Sequence, residues 1–102
     1  KQYWHTENYK AAIEAVNETL SDYPDTPYRE EAMFISLESR FKLAVNSIVS
    51  LQPQRFKETQ TAYFDLLDLF PQSKYRKEAE KIHEEVQEKV KLLNDKNTNT
   101  NS

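Results

Sequence analysis

The sequence predicts an all-α fold, an α–α superhelix of four helices stacked as two helix–turn–helix repeats. Three observations predict it. The stretch "LSDYPDTPYREEA", Leu20 to Ala32, returns 47 positions later as "LDLFPQSKYRKEA", Leu67 to Ala79. The chain contains no glycine in its 102 residues, which disfavours folds that depend on tight hairpins with positive φ. Apolar residues recur at steps of three and four, the spacing that keeps side chains on one face of a helix.

Each element follows in order. In the first helix Tyr9, Ile13, Val16, Leu20 and Tyr23 share a face. Thr6 reads as its N-cap and Pro24 as its stop. The second helix is expected from Thr26, with Pro27 in the first turn where a missing N–H costs nothing, to about Ser50. Its apolar stripe, from Tyr28 and Ala32 through Phe41 and Ala44 to Val49, is broad and calls for neighbours on more than one side. A break is expected at Leu51 to Arg55 around Pro53. A third helix carries Phe56, Tyr63, Leu67 and Phe70 and closes at Pro71. The fourth, Ser73 to about Asn94, has a thin seam of Tyr75, Ala79, Ile82, Val86, Val90 and Leu93 with Lys and Glu behind it. Residues 1–94 thus form the repeat region, and 95–102, without apolar content, read as a disordered tail.

The repeat extends through both helices without a gap. Lys10, Ala15, Leu20, Arg29, Glu31, Ala32, Ile35 and Glu38 meet identical residues at Lys57, Ala62, Leu67, Arg76, Glu78, Ala79, Ile82 and Glu85. In each turn an aromatic (Tyr23, Phe70) is expected to pack inward before proline blocks continuation. Thr26 or Ser73 then caps the next helix, and Tyr28 or Tyr75 tucks beneath it. Repeated helix pairs are the pattern of an α-solenoid, with a period longer than the roughly 34 residues of tetratricopeptide repeats. The length of the second helix is read as the cause.

Composition excludes several functions. A net charge of −3 argues against nucleic acid, whose phosphates need a basic surface. The absence of cysteine removes disulfides, zinc fingers and thiol chemistry. "HEEVQ" at His83 lacks the second histidine of a zincin helix, since Gln87 stands four residues on. Ser36, Ser39, Ser47 and Ser50 have no histidine in a relation that would activate them. No enzyme, metal or cofactor is expected. Lys81 with Glu85 and Glu85 with Lys89 read as ordinary helix ion pairs.

Surfaces remain. Glu14, Glu18 and Asp22 follow Glu7 along one side of the first helix, an acidic strip suited to a basic partner. Trp4 and Tyr3 precede that helix, and an exposed Trp4 would make a binding hot spot. Arg29 recurs as Arg76 and is read as bridging adjacent turns or touching a partner. The chain opens on Lys1 without an initiator Met and reads as an excised or processed piece, any anchoring element lying upstream.

The stretch "YWHTENYKAAIEAVNETLSDYPDTPYREEAMFISLESRF", with its "DYPDT" turn and "EEA" helix start, resembles the carboxy-terminal repeats of the BamD family. "FPQSKYRKEAEKI" repeats the theme, and the resemblance covers about residues 3 to 93. That family comprises tetratricopeptide-type lipoproteins of the outer-membrane protein assembly machine in Gram-negative bacteria. The resemblance implies a non-catalytic scaffold on the periplasmic face of the outer membrane. It would be anchored through an upstream lipid and docked to the periplasmic POTRA domains of a BamA-like barrel assembly protein. The rival reading is a generic tetratricopeptide module that binds an extended peptide. Such a module needs Asn, Lys and Arg along a concave groove, and Arg40, Lys42 and Asn46 are what the second helix offers.

Overall fold

The computed structural model describes residues 5–101, with side chains described from 6 to 95. Four helices follow one another: α1 (His5–Asp22), α2 (Arg29–Val45), α3 (Gln52–Leu69) and α4 (Arg76–Asn101), with a short 3-10 turn at Val49–Leu51 before α3. No strand occurs among the described residues. α2 packs against α1 on one side and against α3 and α4 on the other, as its broad apolar stripe requires.

The two turns are built bond for bond alike. Tyr23 N and Phe70 N donate to the carbonyls of Thr19 and Leu66, both at 2.8 Å. Thr26 N and Ser73 N then donate to the carbonyls of Tyr23 and Phe70, both at 3.0 Å. The hydroxyl oxygens of Thr26 and Ser73 accept from the backbone N–H groups of Tyr28 and Tyr75, at 3.2 and 3.0 Å. Arg29 and Arg76 each reach back to the proline carbonyl of their own turn, Pro24 at 2.7 Å and Pro71 at 2.9 Å. The sequence repeat is therefore a structural repeat. Each arginine clasps its own turn rather than bridging to the next.

The core lies between the repeats. Leu37, Leu66 and Ala79 form one buried cluster with Met33, Phe34, Tyr63, Phe70 and Ile82 around it. Ala44, Phe56 and Val86 form the second, covered by Phe41, Val45, Val90 and Leu93. The seam expected of α4 is thus the seam observed. Tyr75 stacks on Phe34 with ring centroids 4.6 Å apart, an aromatic contact worth about 0.5–1.5 kcal/mol beyond its buried area.

Several expectations are corrected. Tyr23 and Tyr28 do not pack inward: they are 67% and 68% exposed. Their counterparts Phe70 and Tyr75 are covered by α2, whereas no described helix lies over the equivalent face of the first repeat. α2 starts at Arg29 and ends at Val45, short of Ser50. The Asn46 amide caps the Lys42 carbonyl at 2.8 Å, and Ile48 turns extended, with φ −63° and ψ 155°. The helices of the first unit, 18 and 17 residues long, still account for most of the 47-residue period, so its length comes from α1 and α2 together rather than from an α2 that reaches Ser50. Pro53 does not lie in a break but in the first turn of α3, where its lost N–H has no intrahelical partner to lose. Thr6 stands inside α1 rather than at its cap. The helical backbone of α4 continues to Asn101, past the Asn94 boundary and into the segment read as a tail, because no proline or glycine follows Pro71. The ion pairs among the described residues are Lys10–Glu7, Lys42–Glu38 and Arg76–Glu80, not the two expected around Glu85.

Candidate functional site

A groove runs between α1 and α3 with α2 as its floor. Its shape follows from the packing: α2 is the shared neighbour of both helices, which pack on it more than on each other. On α2 the residues at the floor are Ser36, Arg40 and Leu43, four and three apart and so on one face. Two depressions make up the groove and share Arg40 and Glu58. One, of about 290 Å³, lies between Val16, Asn17 and Leu20 of α1 and Thr61, Ala62 and Asp65 of α3. The other, of about 320 Å³, lies between Lys10, Ile13 and Glu14 of α1 and Gln54 and Arg55 of α3, and Leu51 also borders it.

Two arginines define the second depression, and both are half-buried. Arg40 Nε donates to the hydroxyl of Ser36 at 3.1 Å. Arg55 Nη1 donates to the hydroxyl of Ser47 at 2.6 Å. Ser47 in turn gives its proton to the Leu43 carbonyl at 2.6 Å, so its oxygen is fixed as an acceptor. Both serines are buried. Neither arginine belongs to an ion pair among the described residues. Each guanidinium has five N–H donors, and among the described residues a neutral hydroxyl is the partner of each.

The sequence-derived site residues separate across the surface. Glu14, Glu18 and Asp22 are exposed along one edge of α1, and of these Glu14 borders the groove. Arg29 lies at the Pro24 turn, occupied with that turn's carbonyl. Trp4 lies outside the described residues. Of the three residues expected to line a concave groove, Arg40 does so. Lys42 instead pairs with Glu38 at 3.9 Å and borders a separate depression between α2 and α4, and Asn46 caps α2. Arg55 escaped sequence reasoning. Its tether to Ser47 spans eight residues and depends on the path of the connection, which periodicity does not encode.

His83, the seam-edge histidine, lies flat on Tyr63 with centroids 4.2 Å apart, and its Nδ1 is buried without a hydrogen-bond partner among the described residues. Burial, with Glu80 nearby, raises the Tyr63 phenol above its ordinary pKa. No group of three or more metal-ligating side chains comes together among the described residues. No helix among them is long and apolar enough to cross a membrane.

Residues 1–92 match the sequence model of the family YfiO, described as outer membrane lipoprotein. No curated protein matches the chain.

Proposed function

The chain belongs to the YfiO family of outer membrane lipoproteins, and from that premise we propose that it is the carboxy-terminal repeat region of a BamD-type assembly lipoprotein. In this reading it is a non-catalytic adaptor at the periplasmic face of the outer membrane, held there by a lipid anchor upstream. It docks the POTRA domains of a BamA-like barrel assembly protein and so supports insertion of outer-membrane β-barrel proteins. Family membership is the observation that carries the reading. The duplicated turn supports it, because a surface built from two pairs locked by the same hydrogen bonds is rigid. Rigid display lowers the ordering cost of association, and affinity then rests on a few well-placed side chains rather than on total area.

The acidic edge of Glu14, Glu18 and Asp22, together with Arg29 and Trp4, is the surface we assign to the partner. Exposed carboxylates in a row steer and orient a basic partner more than they hold it. The direct test is capture of a purified POTRA fragment by the 102-residue chain, followed by calorimetry. A saturable one-to-one complex is the expected result. No complex at any accessible concentration overturns the reading.

A further inference from the structure

We infer that the end of the molecule formed by the α2–α3 connection and the adjoining part of α4 is a peripheral membrane contact. It is a rigid apolar tip, flanked by lysines, that enters the head-group region of an anionic lipid bilayer. The inference draws on family membership and not on the POTRA assignment, so either can fail alone.

The tip is aliphatic and open to solvent. Ile48, Val49 and Leu51 stand in the connection and Leu92 on α4 beside it, all exposed, Val49 and Leu92 at 63% and 64%. A depression of about 430 Å³ opens there among Val45, Phe56, Leu92 and Leu93, bordered by Gln52, Lys89 and Asp95. The connection itself is pinned. Leu51 N donates to the Ile48 carbonyl at 3.0 Å, and the Gln52 side-chain amide donates to the Ser47 carbonyl at 2.9 Å. The Ser47 hydroxyl, buried, donates to the Leu43 carbonyl and accepts from Arg55, both at 2.6 Å. A projection fixed in this way loses little freedom on entering another phase. Clustered exposed apolar side chains mark protein or membrane contacts. Protein hot spots favour Trp, Tyr and Arg in enclosed pockets, whereas this tip offers Ile, Val and Leu on a protruding turn.

Charge decides which surface the tip meets. From Ser39 to Lys57 the sequence carries Arg40, Lys42, Arg55 and Lys57 and no acid, in a chain of net charge −3. Lys89 and Lys91 precede Leu92 on α4. Lys57, Lys89 and Lys91 belong to no ion pair among the described residues. About 25 Å away, at the other end of the 17-residue α2, lie the two proline turns, where Asp22, Asp25, Glu31 and Asp68 are exposed. The molecule thus has an acidic pole and a basic, apolar one. An anionic bilayer attracts the second and repels the first, which sets the orientation. Lysine stems lie along apolar surface while their heads reach lipid phosphates. No described helix is long and apolar enough to cross a membrane, so the contact is interfacial. Its strength then follows the apolar area inserted and the attraction to anionic lipid. Membership in a family of outer membrane lipoproteins supplies a lipid surface within reach.

The chain has no cysteine, so Val49→Cys and Asp25→Cys each accept a single environment-sensitive fluorophore, one at each pole. Both are mixed with vesicles of phosphatidylethanolamine and phosphatidylglycerol, or of phosphatidylcholine alone. The label on the Val49→Cys chain should brighten, shift to the blue and be quenched by nitroxide-bearing lipids on the anionic vesicles, more strongly at low salt. The label on the Asp25→Cys chain should do none of these. Without labels, Val49→Ser/Leu92→Ser should weaken cosedimentation with anionic vesicles about tenfold, the scale of withdrawing two partly inserted aliphatic side chains. Lys57→Gln/Lys89→Gln/Lys91→Gln should remove the preference for anionic over neutral vesicles. Circular dichroism checks that each variant is folded, and the comparison of the two labels stands even where a combined variant is not. No response of the Val49→Cys label on either vesicle, an equal response at the acidic pole, or vesicle binding unchanged in the folded serine variant each overturns the inference. So does a tip that captures an acidic protein and no vesicle.

Discussion

Glu30 ties the two repeats together at one point. Its carboxylate accepts the backbone N–H of Lys74 at 3.0 Å, across 44 residues of chain. The Ser73 hydroxyl, itself an acceptor for Tyr75 N, also bonds Glu30, and that bond is the main reason its pKa falls below the ordinary 4.5. Desolvation opposes the shift, while the Lys74 N–H and charge add to it. The first turn has no such staple because Pro27, at the position of Lys74, has no N–H to give. A carboxylate whose folded pKa is depressed contributes stability that is complete above its unfolded pKa and is lost as pH falls through the folded one. Glu30→Gln should therefore be less stable than the wild type at neutral pH, and the gap should close as pH drops below 4.5. Urea titrations of both proteins across that range measure the difference directly. A gap that persists unchanged into acid would show that the charge contributes nothing.

At the scale of elements, α2 is the helix that the others depend on, and Leu37 is its central residue. Leu37, Leu66 and Ala79, one from each of α2, α3 and α4, are all fully buried. Leu37→Ala should cost about 2–5 kcal/mol, the transfer term plus the cavity it leaves. Equilibrium denaturation would measure the loss, and a value below about 1 kcal/mol would mean that the helices close over the void. The helices themselves were legible because the pattern that predicts them is the pattern that buries them: Ala79, Ile82, Val86, Val90 and Leu93 recur at helical spacing in the sequence and join the clusters formed with α2 and α3 in the fold. The end of α2 was not legible. Ile48, Val49 and Leu51 continue the apolar stripe yet are exposed in the connection, since the helix is ended by an asparagine amide and an extended residue, which hydrophobic spacing does not register. The groove was half legible for the same reason. Arg40 follows from the face of its own helix, whereas Arg55 is placed by a serine on the far side of the connection.

For the whole molecule the two repeats are alike in their turns and unlike in their surroundings. Phe70 and Tyr75 are covered where Tyr23 and Tyr28 are open to solvent, so the sequence repeat alone could not tell which copy of each aromatic would be buried. The charges are also distributed unevenly. Along the α1 edge Glu14, Glu18 and Asp22 are exposed and belong to no ion pair among the described residues, while Glu7 is offset by Lys10 at 3.8 Å. Fields from such a row extend about 10 Å at moderate ionic strength and are screened beyond that. If this edge guides a basic partner, its influence lies in the encounter rather than in the final contacts. The Glu14→Lys/Glu18→Lys/Asp22→Lys variant should then associate with the POTRA fragment about tenfold more slowly at low salt, with dissociation little changed. The difference between variant and wild type should shrink as salt is added. Stopped-flow association at several ionic strengths reads both quantities. A variant that loses affinity through faster dissociation, with no dependence on salt, would place these carboxylates inside the bound interface instead of along the approach to it.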